Sequence, residues 1–247
     1  MNPIIAMWAI PRSRGTAFER MMMERRDFQV LHEPFNLYFY KSSERISDRT
    51  PNEKPEPHYH YAHILQWILN QAKISPIFIK DLAYYIAHVA DESFLTHFKN
   101  VFFIRHPKDT LPSYFNAWSD FTLIEAGYAE IYKLYEIAGT MNDTPPLIID
   151  SDDLLTHPQM MVEAFCDAVG IPFIASALQW SEMTNPQWDR WNNANVEWHA
   201  KLKGSTCFQK TDNKNYLAVH EHPHLLKAYE YCLPFYDKLY EKRFVPM

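Results

Sequence analysis

The sequence predicts an α/β fold, a central parallel sheet flanked by helices in three layers, and three observations point to it. Short apolar runs rich in β-branched and aromatic residues recur along the chain, helix-length stretches separate them, and two of the junctions between a run and the next helix carry arginine. Glycine is scarce, with 5 residues, while aromatic residues make up 15% of the chain, which suits a helix-rich protein with aromatic-lined cavities better than a glycine-rich all-β one.

The first run, Ile4 to Ile10, contains no charged residue and reads as a strand buried on both faces. A helix is expected from Thr16 to Arg26, then a short fifth strand at Val30 and Leu31. Helix Tyr61 to Lys73 leads to a strand at Ile77 to Ile79, and the strand at Val101 to Ile104 leads to helices over Pro107 to Trp118 and Thr122 to Gly139. Leu147 to Ile149 is the last strand. From Pro158 to Val169, the residues Met161, Val162, Phe165, Cys166 and Val169 repeat at helical spacing, and Gly170 followed by Pro172 ends the helix. A closing helix spans Pro223 to Lys242, with Pro223 suited to a first turn and Pro234 predicting a kink or break. Residues 41–60 and 184–215 lack apolar period and are expected to be long loops, candidate substrate lids. No repeat or linker is visible, and 247 residues, 47% of them apolar, fit one domain over 1–247.

The formal charge of −6 argues against a general nucleic-acid binder, since affinity for a phosphate backbone comes from lysine and arginine. Any polyanion must sit in a local basic pocket. Cys166, Cys207 and Cys232 show neither a paired framework nor metal-ligand spacing and are expected to be reduced. No signal-peptide pattern or membrane-length apolar run is present, so the expected location is cytoplasmic, with no membrane partner. His58, His60 and His63 lie close in sequence, but a flexible loop does not guarantee the convergence a metal needs, and no metal is expected. Trp188, Trp191 and Trp198 receive no role, because aromatic residues at near-helical spacing serve cores more often than ligands.

The most informative stretch runs from Ile4 through Pro11-Arg-Ser-Arg-Gly-Thr16 to Arg20: an apolar strand, a tight polar turn, a helix. A helix entered through Ser13, Gly15, Thr16 and Ala17 presents unpaired N–H groups and a positive dipole end to an anion, and Arg12 and Arg14 add full charges. Gly15 is expected to let the backbone approach the ligand. The turn lacks the lysine that a nucleotide-triphosphatase loop places before its hydroxyl residue, which demotes ATP. In the second stretch, Val101-Phe-Phe-Ile-Arg-His-Pro107, Arg105 ends a strand and Ser113 follows about two helical turns on. In a parallel sheet both strand ends open on one edge, so Arg105 and Ser113 are placed to hold a second phosphate.

Together these stretches resemble the sulfotransferase family that uses 3′-phosphoadenosine 5′-phosphosulfate (PAPS), in particular its bacterial small-molecule members. The family's 5′-phosphosulfate loop follows the first strand, and its RxPxxxxxS element grips the 3′-phosphate; Arg105, Pro107 and Ser113 fit that spacing. Here arginine replaces the loop's usual lysine and Arg14 stands where the family has glycine. Asp150 to Pro158 and Gly170-Ile-Pro-Phe173 match further structural segments, and Lys203 and Gly204 lie where the family closes a basic loop over the 3′-phosphate. The resemblance implies a P-loop NTPase-like three-layer sandwich and PAPS as co-substrate, with sulfuryl transfer to a hydroxyl or amine of a small metabolite or natural product.

Such a transfer needs a clamp on the leaving phosphate, for which Arg12 is the candidate, and a base for the acceptor's proton. The resemblance ranks Glu33 first; His32 and then Asp81 follow, with Lys80 as a partner for Asp81. An ATP-dependent small-molecule kinase, with Asp150 or Asp152 holding Mg²⁺, and a non-catalytic nucleotide-binding module remain alternatives. The acceptor's identity and the choice between monomer and homodimer stay open.

Overall fold

In the computed structural model, residues 1–49, 54–183, 185–189, 198–210 and 216–246 are described. Five strands, β1 (Ile4–Ala9), β2 (Gln29–His32), β3 (Ile77–Leu82), β4 (Lys99–Ile104) and β5 (Leu147–Asp150), form one sheet in the order β2-β3-β1-β4-β5. Every pairing is parallel. This is the expected sheet, including the short β2, with β3 extending three residues past the predicted Ile79.

The helices are α1 (Gly15–Arg25), α2 (Asn36–Lys41), α3 (Tyr61–Gln71), α4 (Glu92–Leu95), α5 (Pro107–Ala117), α6 (Leu123–Ala126), α7 (Tyr128–Thr140), α8 (Ser151–Thr156), α9 (Pro158–Val169), α10 (Ala200–Lys203) and α11 (Pro223–Glu241). The sheet alternation sorts its two faces. Phe78 and Phe103 meet Phe18 of α1 on one face, where Phe165 of α9 also packs. On the other face Phe102 meets Tyr135 of α7, and Trp8 meets Phe94 and Phe98. The result is a three-layer α/β sandwich of the P-loop type.

Two expectations change. The helix predicted over 122–139 is split at Gly127, whose φ of 81° ends α6 and starts α7, while Thr122 and Glu125 close a capping box that fixes where α6 begins. Of the kink or break expected at Pro234, the break does not occur: α11 runs through it, held along α5 and α7. The short helices α2, α4 and α10 escaped the sequence reading because an apolar period needs more than one or two turns to show, while α8 falls in the stretch matched by the family resemblance. In the expected loops, turns of 3₁₀ helix form at Pro57–Tyr59 and Pro186–Asp189. Trp191 and residues 50–53 and 211–215 lie outside the described residues.

The strand order matters for function. From β1 the chain moves to β2 and β3 on one side, then crosses to β4 and β5 on the other. The carboxyl ends of β1 and β4 therefore flank a switch point, where open α/β sheets form a crevice.

Candidate functional site

A cavity of about 330 Å³ opens at that crevice. Its arginine wall comes from the β1–α1 turn. Arg12 (φ 59°) and Arg14 (φ 70°) both adopt left-handed backbone, a conformation that costs roughly 1–2 kcal/mol for a residue with a Cβ. Glu33 (φ 46°), at the end of β2, does the same, so three of the four non-glycine residues with positive φ among those described line one cavity. Such strain persists where the surroundings over-determine it, as functional sites do.

Gly15 is not the residue with unusual φ. A Cβ there would lie 3.2 Å from Cε of Lys80, so the close approach it permits is that of α1 to β3. Ser13, Gly15, Thr16 and Ala17 line the cavity beside the arginines. The Ser13 hydroxyl closes the turn on the Ile10 carbonyl at 2.7 Å, and the Ala17 N–H donates to the Arg14 carbonyl at 2.9 Å. The first turn of α1, where a helix carries its unpaired N–H groups and its positive dipole end, thus lines the cavity.

The second motif meets the first directly. Arg12 Nε donates to Ser113 Oγ at 3.0 Å, and Arg105 Nη1 donates to the Arg12 carbonyl at 3.2 Å. Arg12 also donates to the Trp198 carbonyl at 3.1 Å and lies over the Trp198 ring. Burial lowers the pKa of Arg12 and of Arg105 from the usual arginine range, and the buried Nε of Arg105 has no hydrogen-bond partner among the described residues. Desolvated guanidinium groups with an unpaired donor suit an anion. Arg14 is committed differently, donating to Asp152 at 2.8 Å and Ser151 at 3.2 Å.

Of the candidate bases, the structure brings Glu33 and His32 to the cavity and leaves Asp81 outside it. Period-2 alternation is the reason: in register, Lys80 sits beside Met7 and Asp81 beside Trp8, on the opposite face. Asp81 is fully buried, accepts the N–H groups of Phe35 (3.0 Å) and Leu82 (2.9 Å), and burial together with nearby Glu33 pushes its carboxyl well above the usual range. It anchors the β2–α2 turn. Lys80 is not its partner; it pairs with Glu33 Oε1, and Tyr85 donates to Glu33 Oε2 at 3.1 Å. Burial works against ionisation of Glu33, yet Lys80, with His32, outweighs it and holds the carboxyl at about 2.

Lys203 and Gly204 also lie outside the cavity, although their neighbours Leu202 and Ser205 line it. The Lys203 ammonium pairs with Asp189 at 2.7 Å, and a Cβ on Gly204 would meet nothing within 4 Å. Asp150 and Asp152 line it no more than these: Asp150 caps α8 and accepts from Tyr236, with its carboxyl raised to about 6 chiefly by burial, and Asp152 holds Arg14. Among the described residues no group of three histidine, cysteine or acidic side chains is placed to hold a metal. No helix among them is long and apolar enough to cross a membrane.

A second wall is aromatic and adjoins the first where Arg12 lies over Trp198. Tyr84, Tyr85 and Tyr114 come from the β3 end and α5, and Trp118, Trp188 and Trp198 from later segments. Arg49, from the first expected lid, lies 4.2 Å over Trp118 and donates to both oxygens of Glu125, so the capping box of α6 braces this wall. Sequence reasoning missed these residues together with Glu19 and His199. For Glu19 a signal existed: Gly15, Phe18, Glu19 and Met22 fall at i, i+3, i+4 and i+7, so an acidic residue sits on the core face of α1. His199 had none, because its loop meets the cavity only through the tertiary fold.

The family model of the sulfotransferase domain matches residues 3–243, and the chain belongs to that family. Among curated proteins it is 28% identical over 254 residues to the branched-chain-amino-acid aminotransferase-like protein 2 of Arabidopsis thaliana, and 26% identical to protein 1 of the same name and plant. Each alignment covers 96% of this chain, which spans 41% of the length of these relatives. Among solved structures, the sulfotransferase domain of the Synechococcus PCC 7002 olefin synthase superposes with a TM-score of 0.56 at 17% identity, covering 98% of this chain and 94% of the other. The sulfotransferase domain from the curacin biosynthetic pathway gives 0.50 at 13% identity, covering 100% and 99%. These two likenesses establish a shared fold.

Proposed function

We propose that this sulfotransferase-family chain takes PAPS as co-substrate and transfers its sulfuryl group to a small acceptor bound against the aromatic wall. The observation that carries the reading is the Arg12–Ser113–Arg105 junction, where the two phosphate motifs of the sequence join through hydrogen bonds at one crevice. In this reading the α1 turn, with Ser13, Gly15, Thr16 and Ala17, holds the 5′-phosphosulfate, and Arg105 with Ser113 holds the 3′-phosphate. The unpaired Arg105 Nε supports the second assignment. Arg12, between the two, is the clamp for charge that grows on the leaving phosphate; its planar fork reaches bridging and terminal oxygens together. PAPS supplies the activated sulfuryl group when bound.

The kinase alternative has less support, since Asp150 and Asp152 are turned to helix capping and to Arg14. Calorimetric titration with adenosine 3′,5′-bisphosphate, against adenosine monophosphate and against ATP with Mg²⁺, tests the reading. Selective binding of the bisphosphate is expected. Preference for ATP with Mg²⁺ would transfer the reading to the kinase, and binding of none would leave the family membership describing the fold alone.

A further inference from the structure

Glu19 of α1 is completely buried, and both of its oxygens are engaged. Oε2 lies 2.7 Å from Nδ1 of His32, and Oε1 accepts from the indole N–H of Trp188 at 2.9 Å. A charged side chain at full burial is costly unless something fixes it, and here two ring donors do. One of them, His32, lines the cavity; the other, Trp188, belongs to the segment that covers it. A carboxylate only accepts, so it selects the imidazole with its proton on Nδ1 and leaves Nε2 as a lone pair.

The surroundings of that lone pair distinguish His32 from the other candidates. Glu33 has Oε1 on Lys80 and Oε2 on Tyr85, and it is ionised too strongly to take a proton near neutral pH. Asp81 is on the other face of the sheet. His199 lines the cavity with its ring edge-on to His32 at 5.6 Å, but no carboxylate or carbonyl among the described residues orients it. A base oriented by a third group is the arrangement that makes an imidazole an effective proton acceptor.

We propose that Glu19 is a positioning residue: it fixes His32 with the proton on Nδ1, so that His32 Nε2 is the atom that takes the acceptor's proton. The proposal rests on the sulfuryl-transfer reading above. In the step, the acceptor's O–H or N–H proton passes to Nε2 as the acceptor's lone pair forms the bond to sulfur. The bond from sulfur to the 5′-phosphate oxygen breaks, and its electron pair stays on that oxygen beside Arg12. The products are the sulfated acceptor, adenosine 3′,5′-bisphosphate and a His32 imidazolium that returns its proton to water. Facing that imidazolium are Glu19 from α1 and Glu33 Oε1 at 4.0 Å, with Lys80 from β3 and His199 opposing. Burial holds His199 well below the usual histidine range, so it adds no charge near neutral pH.

Long-range proton–nitrogen NMR of protein labelled with ¹⁵N-histidine tests this without any acceptor, with the His32 signals assigned by their loss in His32→Gln. In the wild type, Nδ1 should be protonated and Nε2 free. In Glu19→Gln the tautomer ratio should fall at least about tenfold, as the carboxylate that accepts the Nδ1 proton is lost. Adenosine 3′,5′-bisphosphate affinity, measured on the same samples, should stay within about threefold, because Glu19 touches no phosphate residue. With an acceptor in hand, turnover should fall on the order of 10²-fold in Glu19→Gln. A wild-type His32 protonated on Nε2 overturns the proposal even if Glu19→Gln fails to fold. An unchanged tautomer in a folded Glu19→Gln overturns the positioning role. Failure of the bisphosphate to bind the wild type would instead remove the sulfuryl-transfer reading, and the tautomer would be judged by itself.

Discussion

The two walls of the cavity are built by different means. The arginine wall comes from two strand-to-helix junctions at one sheet edge, so its residues are placed by backbone close to them in sequence. The aromatic wall is assembled from the β3 end, α5 and the late loops, and is braced at a distance by Arg49 on Glu125 and by Glu19 on Trp188. One wall is specified locally and the other by tertiary packing. Glu33 and Lys80 stand at the seam, with Lys80 beneath Gly15 and Glu33 beside Tyr85.

If the seam is structural and the arginine wall is for binding, substitutions should separate stability from affinity. Glu33→Gln should have the largest effect, about 3–5 kcal/mol of stability at pH 7, because it leaves Lys80 buried without its counter-charge. On the proposed reading bisphosphate affinity should hold or rise, since the freed ammonium lies under Gly15 of the β1–α1 turn. The pH dependence has a definite sign. Glu33 is held at about 2 in the folded protein against about 4.3 unfolded, so it contributes about 3 kcal/mol that is fully present above pH ~4.3 and is lost as pH falls through about 2. Urea midpoints at pH 7 and pH 3 should therefore converge for wild type and Glu33→Gln as pH falls. A gap that does not narrow would mean the pair is not the source of the difference.

Arg105→Ala should do the reverse. Its loss should weaken adenosine 3′,5′-bisphosphate binding by about 1.5–3 kcal/mol, roughly 10- to 150-fold, as for hydrogen bonds to charged groups. Adenosine monophosphate binding should change far less. Equal losses for both ligands would move Arg105 off the 3′-phosphate and make it a support for the Arg12 carbonyl, which it already touches.

The same division explains what the sequence disclosed. β1, α1, β4 and α5 were legible because buried parallel strands are continuous apolar runs and each leads into its helix within a few residues. Arg12, Arg105 and Ser113 were therefore legible as residues of one sheet edge, and hydrogen bonds join them there. An Ile-Lys-Asp-Leu run does not say which of two adjacent polar residues faces the crevice; the Met7–Lys80 register puts Lys80 there and Asp81 on the other face. Lys203 was carried to the site by the family resemblance alone, and Asp189, fourteen residues earlier, pairs with its ammonium. His199 became visible only once the late loop was brought to β2, whereas Glu19 was marked in the sequence by its place on the apolar face of α1.

The smallest expected effect bears on the strained backbone of the arginine wall. Arg26 closes α1 at φ 63° with its side chain 84% exposed, the same left-handed conformation as Arg14 but outside the cavity. Glycine carries no Cβ penalty there, so Arg26→Gly should stabilise the protein by about 0.5–1 kcal/mol, read as a higher urea midpoint, with bisphosphate affinity unchanged. Arg14→Gly relieves the same strain but severs the 2.8 Å contact to Asp152 that ties α1 to α8. It should gain less stability than Arg26→Gly and bind the bisphosphate more weakly, because a charge beside the phosphate turn is gone. Equal gains from the two glycines, with equal affinity, would mean that the left-handed turn at Arg14 serves chain geometry alone and that the arginine wall is narrower than its sequence implies.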